Sequence, residues 1–346
     1  MSGTVQSTLK FENVDDPHTI FKLIKTGKVK YEDFTAEQIY DLKERYGFIF
    51  DKEFNKFPKT FDDDTKIISQ SQIQSYMKCP RYWYFKSKLK LKGEKKDETW
   101  LKFGKVIHLI LSEFYTNIDL DMAKQDPFSH FTYVLKLLTS QHWDHSLDRK
   151  LLEVDANQIF AGFSQAFGER FLELNEMNRL DIFFPMSTEE DIRSTTQPLR
   201  SIVDRINPGL KTFVDYKTNK VYPDILLKNP SELSPDEMKL YNYSIQNYVI
   251  QAIINAICIH DKYKIWPEAC IFIFVRHMNT PHKGFLRIPI TQDFINQVTS
   301  VVDRIYKSMS DGIYEKTKDP NSCVEYGGCE FSMACDGLDL CLINDI

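Results

Sequence analysis

No apolar run in the 346 residues approaches the ~20 that a membrane span requires, and the first ten residues lack the apolar centre of a secretory signal. The chain therefore reads as a soluble, cytoplasmic protein with no membrane partner. Basic residues are in no excess: 44 Lys and Arg face 49 Asp and Glu, for a net charge of −5, so any nucleic-acid contact has to come from a local patch. The seven cysteines are odd in number and come without a secretory signal, which argues against a disulfide framework and makes metal binding the reading to test. The close C-x₂₋₄-C pairs favoured by zinc sites are missing. So is G-x-x-x-x-G-K-[ST], which excludes a P-loop motor in this chain.

What remains is a globular composition, 42% hydrophobic and 27% charged, with enough length to bury a substantial core. Residues 1–65 hold short amphipathic pieces and read as an N-terminal helical extension, leaving 66–346 as the main domain. Between Lys78 and Lys105 ten basic residues face three acidic ones, a local charge of +7. Arg81, Lys86, Lys88 and Lys90 in this patch are candidate DNA contacts, and Tyr82, Trp83, Tyr84 and Phe85 offer stacking surface for unpaired bases unless they belong to the core. Residues 116–185 read as a helical insertion placed to cap a DNA channel, with Ile159, Phe163, Phe167, Phe171 and Leu174 as a core stripe.

The organising stretch is Ser201-Ile-Val-Asp-Arg-Ile-Asn-Pro-Gly-Leu-Lys-Thr-Phe-Val-Asp-Tyr-Lys217, two apolar runs joined by a turn at Asn207-Pro208-Gly209. Pairing the runs brings Asp204 and Asp215 to the same end and face of a sheet, and Lys217 shares the face of Asp215 because strand side chains repeat every two residues. Two carboxylates and an ammonium are what Mg²⁺ or Mn²⁺ and a polarised water need, which suggests metal-assisted phosphodiester hydrolysis. A solvated hairpin with one surface ion pair is the plain alternative.

Val203-Asp204-Arg205 followed by Val214-Asp215-Tyr216-Lys217-Thr218 resembles the core of the PD-(D/E)XK nuclease superfamily, in its RecB-like branch. The resemblance implies an α/β, restriction-endonuclease-like fold: a mixed central sheet flanked by helices, here with a helical insertion and a C-terminal cysteine-rich clasp. It implies that His108, in Phe103-Gly104-x-x-x-His108 on an apolar helix, holds the metal with Asp204, Asp215 and the Tyr216 carbonyl. Lys217 then polarises the attacking water. It also implies that one of Glu189 and Glu190 faces the metal, without deciding which. In the helix opened by the capping box Ser234-Pro-Asp-Glu237, the family carries a Gln near the scissile phosphate. Gln246 is the candidate and Gln251 its rival.

Cys79, in Cys79-Pro-Arg-Tyr-Trp-Tyr-Phe85, resembles the signature of a four-cysteine subgroup that carries an iron-sulfur cluster, the AddB-type and CRISPR-adaptation-type exonucleases. With Cys323, Cys329 and Cys335 in the segment 320–341 it supplies four thiolates for a [4Fe-4S] cluster, or for a Cys₄ zinc site. Cys341 is a substitute ligand, while Cys258 and Cys270 sit in apolar contexts and read as core. The expected function is a metal-dependent deoxyribonuclease, an exonuclease acting on DNA ends or single strands in recombination, repair, replication or CRISPR adaptation. Any helicase motor would be a separate protein. The rival is a nuclease-inactive iron-sulfur scaffold subunit that binds DNA.

Overall fold

A computed structural model describes residues 67–89, 99–143, 149–218, 224–278, 284–317, 323, 329–332 and 335. The extension 1–65, Lys90 and Cys341 lie outside the described residues. Two compact units divide the chain: residues 67–70 with 97–302, and residues 71–96 with the C-terminal stretch from 303.

The first unit is built on a six-stranded mixed sheet. Its strands are β1 (Ile68–Ser69), β2 (Ser187–Arg193), β3 (Leu199–Ile206), β4 (Thr212–Lys217), β5 (Ala269–Phe274) and β6 (Phe285–Pro289), in the order β1-β3-β4-β5-β6 with β2 also pairing β3. β4 and β5 run parallel, whereas β2/β3, β3/β4 and β5/β6 are antiparallel. The central β4 and β5 read TFVDYK and ACIFIF and are buried on both faces, as near-continuous apolar strands inside a sheet must be. The β3–β4 turn closes through Pro208–Leu210, where Gly209 takes a φ of 73° that a side chain would disfavour.

Helices cover the sheet, as the sequence leads one to expect of an α/β fold. α3 (Thr99–Phe114), α5 (Pro127–His142) and α6 (Arg149–Glu176) share one core with β4 and β5: Phe114, Phe131, Phe163 and Phe171 meet Val214, Tyr216 and Ile273. The segment expected as a capping insertion is therefore a layer of the main core. Its aromatic stripe needs a partner surface, and the apolar β4–β5 residues supply one. α4 (Leu120–Gln125) is a short capped turn between α3 and α5. α7 (Pro235–Tyr263) starts at the capping box, with Ser234 and Glu237 each bonding the other's backbone, and its second half is buried.

The second unit contains most of α1 (Gln70–Lys78), all of α2 (Pro80–Trp83) with the π-turn Tyr84–Lys88 that continues it, and the end of α8 (Gln292–Ser310). Trp83 and Tyr84 both stack on Tyr314, with ring centroids 5.9 Å and 4.4 Å away. Trp83, Tyr84 and Phe85 are buried. Of the four aromatics offered as a base-stacking surface, only Tyr82 keeps appreciable exposure, because the others are this unit's core.

Candidate active site

Strand register assembles the acids. β3 and β4 pair Arg205 with Val214 and Ile206 with Phe213, so the next step sets Asp204 opposite Asp215. β2 and β3 pair Thr188 with Arg205 and Glu190 with Val203, which sets Glu189 opposite Asp204. Three carboxylates thus stand in a row across three strands. Glu189 has a φ of 48°, the only positive φ within a strand among the described residues, and strained backbone of this kind concentrates at functional sites. Its neighbour Glu190 instead bonds Ser187, Lys262 and Tyr263. The choice that sequence left open between the two glutamates falls on Glu189.

From α3, His108 reaches the same row. Its Nδ1 lies 3.3 Å from Asp204 Oδ2 and 3.9 Å from Glu189 Oε1. Ligand atoms of His108, Glu189 and Asp204 all lie within 4.8 Å of one another. Asp204 Oδ2 also accepts the Tyr216 backbone N–H at 2.6 Å. The Tyr216 side chain is buried, its hydroxyl 3.3 Å from that of Tyr115. α3 approaches the strand end closely at Gly104, where a Cβ would come within 3.1 Å of Thr218 Oγ1.

Asp215 and Lys217 form the other half. Asp215 is almost wholly buried, and Lys217 Nζ lies 2.6 Å from its Oδ1. Gln251 of α7 bridges the pair, its amide nitrogen donating to Asp215 Oδ2 and its Oε1 accepting from Lys217 at 2.7 Å. Lys217 Nζ also sits 5.2 Å from the centre of the Phe272 ring, on the strand beside it. Gln246, the residue first expected in this role, is exposed on the same helix. Five residues turn an α-helix well away from its starting face, so only one of the two glutamines can meet the sheet. Helical spacing alone did not fix the register, although Gln251 sits where the helix becomes buried.

The electrostatics call for a cation. Burial opposes charge on His108, yet Asp204, Asp215 and Glu189 outweigh it and push the imidazole up to about 9. Burial drives Asp215 up to about 6 against the pull of Lys217, with the charge of Asp204 adding to the rise. Glu189 is raised by burial and then by Asp204, against the relief from His108. Glu189 and Asp215, lifted first by burial and further by the charge of Asp204, stand with that carboxylate and an imidazole in an oxygen-rich donor set that fits a hard divalent cation.

The cysteines lie in the second unit. No disulfide joins the six described cysteines; Cys258 and Cys270 are buried, as expected of core residues. Cys79 caps α2 immediately before Pro80. The segment around Cys329 and Cys335 docks on that helix. Glu330 accepts from Tyr82 at 2.6 Å and from Lys86 at 2.9 Å, and Phe331 packs edge-on against Tyr82 and Phe85. Arg81 is buried, its Nη1 3.4 Å from Cys335 Sγ. This corrects the expectation of a phosphate-facing Arg81: the first turn after Pro80 aims it inward. Lys86 is exposed but held by Glu330, and Lys88 is half-buried.

No described helix is long and apolar enough to cross a membrane. The sequence model of the PD-(D/E)XK nuclease superfamily matches residues 67–336, which spans both units and every residue of the two constellations. No curated protein matches the chain.

Proposed function

The chain belongs to the PD-(D/E)XK nuclease superfamily, and from that premise we propose a metal-dependent deoxyribonuclease, an exonuclease on DNA ends or single strands, that also carries a [4Fe-4S] cluster. Superfamily members are generally phosphodiester hydrolases that use Mg²⁺ or Mn²⁺. The observation that carries the reading is the row Glu189–Asp204–Asp215 with His108 at one end and the Lys217–Gln251 bridge at the other.

His108, Asp204, Asp215 and the Tyr216 carbonyl would hold the divalent cation, with Glu189 beside them. When bound, it supplies positive charge to the phosphate and lowers the pKa of a water. The rest is done by the chain. Lys217, fixed between Asp215 and Gln251, orients the attacking water and stabilises the negative charge that builds on the phosphate oxygens. The Tyr216 N–H bonds the same Asp204 oxygen that faces His108, and so fixes that carboxylate beside the imidazole. Burial of Asp215 keeps solvent from screening these charges.

Cys79, Cys323, Cys329 and Cys335 are the proposed cluster ligands. Support comes from the docking of Glu330 and Phe331, next to Cys329, on the helix that Cys79 opens, and from a guanidinium on the Cys335 sulfur. The cluster's duty in this reading is to clasp the second unit; iron and sulfide content of anaerobically purified protein distinguishes it from a zinc staple. Lys88 and Lys90 remain the candidate phosphate contacts of the basic stretch.

The test is degradation of end-labelled single- and double-stranded DNA with Mn²⁺, Mg²⁺ or EDTA. Cleavage should require the metal and fall by about 10²-fold or more in Lys217→Ala and Asp215→Ala. A well-folded protein that binds DNA without cutting it under any of these conditions would transfer the reading to a scaffold subunit.

A further inference from the structure

Arg81 stands in the most basic stretch of the sequence, yet its side chain is buried and its Nη1 donates to Cys335 Sγ at 3.4 Å. Arginine stays protonated in proteins, and a thiol sulfur is a weak acceptor, whereas a thiolate or a metal-bound thiolate is a charged one. The bond is clamped at both ends. On the helix side, the Arg81 backbone N–H is fixed on the Glu315 carbonyl at 3.2 Å, two residues beyond the cap at Cys79. On the cysteine side, Glu330 is held by Tyr82 and Lys86, Phe331 packs on Tyr82 and Phe85, and the Cys335 N–H bonds the Phe331 carbonyl at 2.8 Å. A surface arginine swinging past a thiol would have neither anchor.

We infer that Arg81 is a positioning residue of the cysteine site, whose guanidinium bonds the Cys335 sulfur and raises the reduction potential of the iron-sulfur centre held there. The inference rests on the cluster reading given above. One-electron reduction adds a negative charge shared among the irons and the ligating sulfurs. A cation donating an N–H to one of those sulfurs stabilises the reduced form more than the oxidised one, and hydrogen bonds to sulfur are a recognised lever on cluster potentials. Lys86, on the same helix, is paired with a carboxylate and lacks this role.

The experiment uses the full chain purified anaerobically: wild type, Arg81→Gln, Arg81→Lys and, as a charge control, Lys86→Gln. Iron and sulfide are quantified, and the potential is read by dithionite titration followed by electron paramagnetic resonance. Arg81→Gln should retain iron and favour reduction at least tenfold less, a fall of about 59 mV for a one-electron couple. Arg81→Lys should fall between it and wild type, and Lys86→Gln should stay near wild type. Full iron with an unmoved potential in Arg81→Gln overturns the inference, as does an equal shift in Lys86→Gln, which would make the effect one of general charge. Loss of iron from both Arg81 variants overturns it too, assigning Arg81 to retention rather than tuning. Wild-type protein without iron would sink the cluster reading itself, a separate result.

Discussion

In the proposed metal site, proton and metal would compete for one nitrogen of His108. With its imidazole pushed up to about 9 by the surrounding carboxylates, the metal-free site is protonated at neutral pH, and a cation must displace that proton to bind. Raising the pH removes the competitor, so apparent Mg²⁺ affinity should climb about tenfold per unit between pH 7 and 8.5. Below about pH 6, protonation of Asp215 should steepen the loss. Calorimetric titration at several pH values reads this, and His108→Gln should flatten the slope above pH 7; a wild-type affinity independent of pH would remove His108 from the ligand set. The two glutamines divide as cleanly. Gln251→Ala removes the bridge between Asp215 and Lys217 and should lower kcat by about tenfold to a hundredfold, since small displacements of a positioned group are costly. Gln246→Ala, on the exposed face, should leave kcat near wild type.

At the scale of elements, α3 presents His108 correctly only because its first turns lie close against the end of β4. Gly104 makes that approach possible. Alanine there gains about 1 kcal/mol of helix propensity and gives part of it back to a 3.1 Å contact with Thr218, so Gly104→Ala should be nearly neutral. Gly104→Val adds branching beside the Thr218 hydroxyl and should cost about 1–3 kcal/mol. Mg²⁺ binding should weaken with it, because His108 lies one turn further along. Wild-type metal affinity in a destabilised Gly104→Val would separate helix packing from ligand placement. The same elements show what sequence can and cannot convey. The β3–β4 hairpin and its charges were legible because the period of two and the Asn207-Pro208-Gly209 turn are local rules, and the α7 start because a capping box is four residues long. β2 escaped notice because Ser187–Arg193 is polar and only Ile192 is buried, so no apolar alternation marks it. The inward turn of Arg81, the burial of Trp83 and Tyr84, and the choice of Glu189 over Glu190 depend on partners more than a hundred residues away or on a backbone angle, neither of which a local pattern records.

At the scale of the whole chain, the second unit is assembled from two stretches with residues 97–302 between them. More than two hundred residues separate Cys79 from Cys323, so joining them closes a very long loop, and the entropy of closure has to be met by contacts within the unit. Among them are the stacking of Trp83 and Tyr84 on Tyr314, the Tyr76 hydroxyl on the Ile313 carbonyl at 2.5 Å, the Arg81 N–H on the Glu315 carbonyl, and the docking of Glu330 and Phe331 on α2 and its π-turn. The proposed four-thiolate centre, spanning both stretches, would remove the same entropy from the unfolded ensemble as a cross-link, roughly 5 kcal/mol for a loop of this size, before any metal–sulfur binding energy is counted. Stripping the centre with a chelator under reducing conditions should therefore act first on this unit. The Tm should drop, and protease should cut within 71–89 and 303–335 before the sheet is attacked, while Mg²⁺ binding at His108 and Asp204, which lie in the other unit, should survive mild treatment. Cys79→Ser should reproduce the pattern without a chelator. If limited proteolysis of the stripped protein instead opens 187–217 first, the cysteines stabilise the sheet rather than the clasp, and the proposed division of labour between the two units fails.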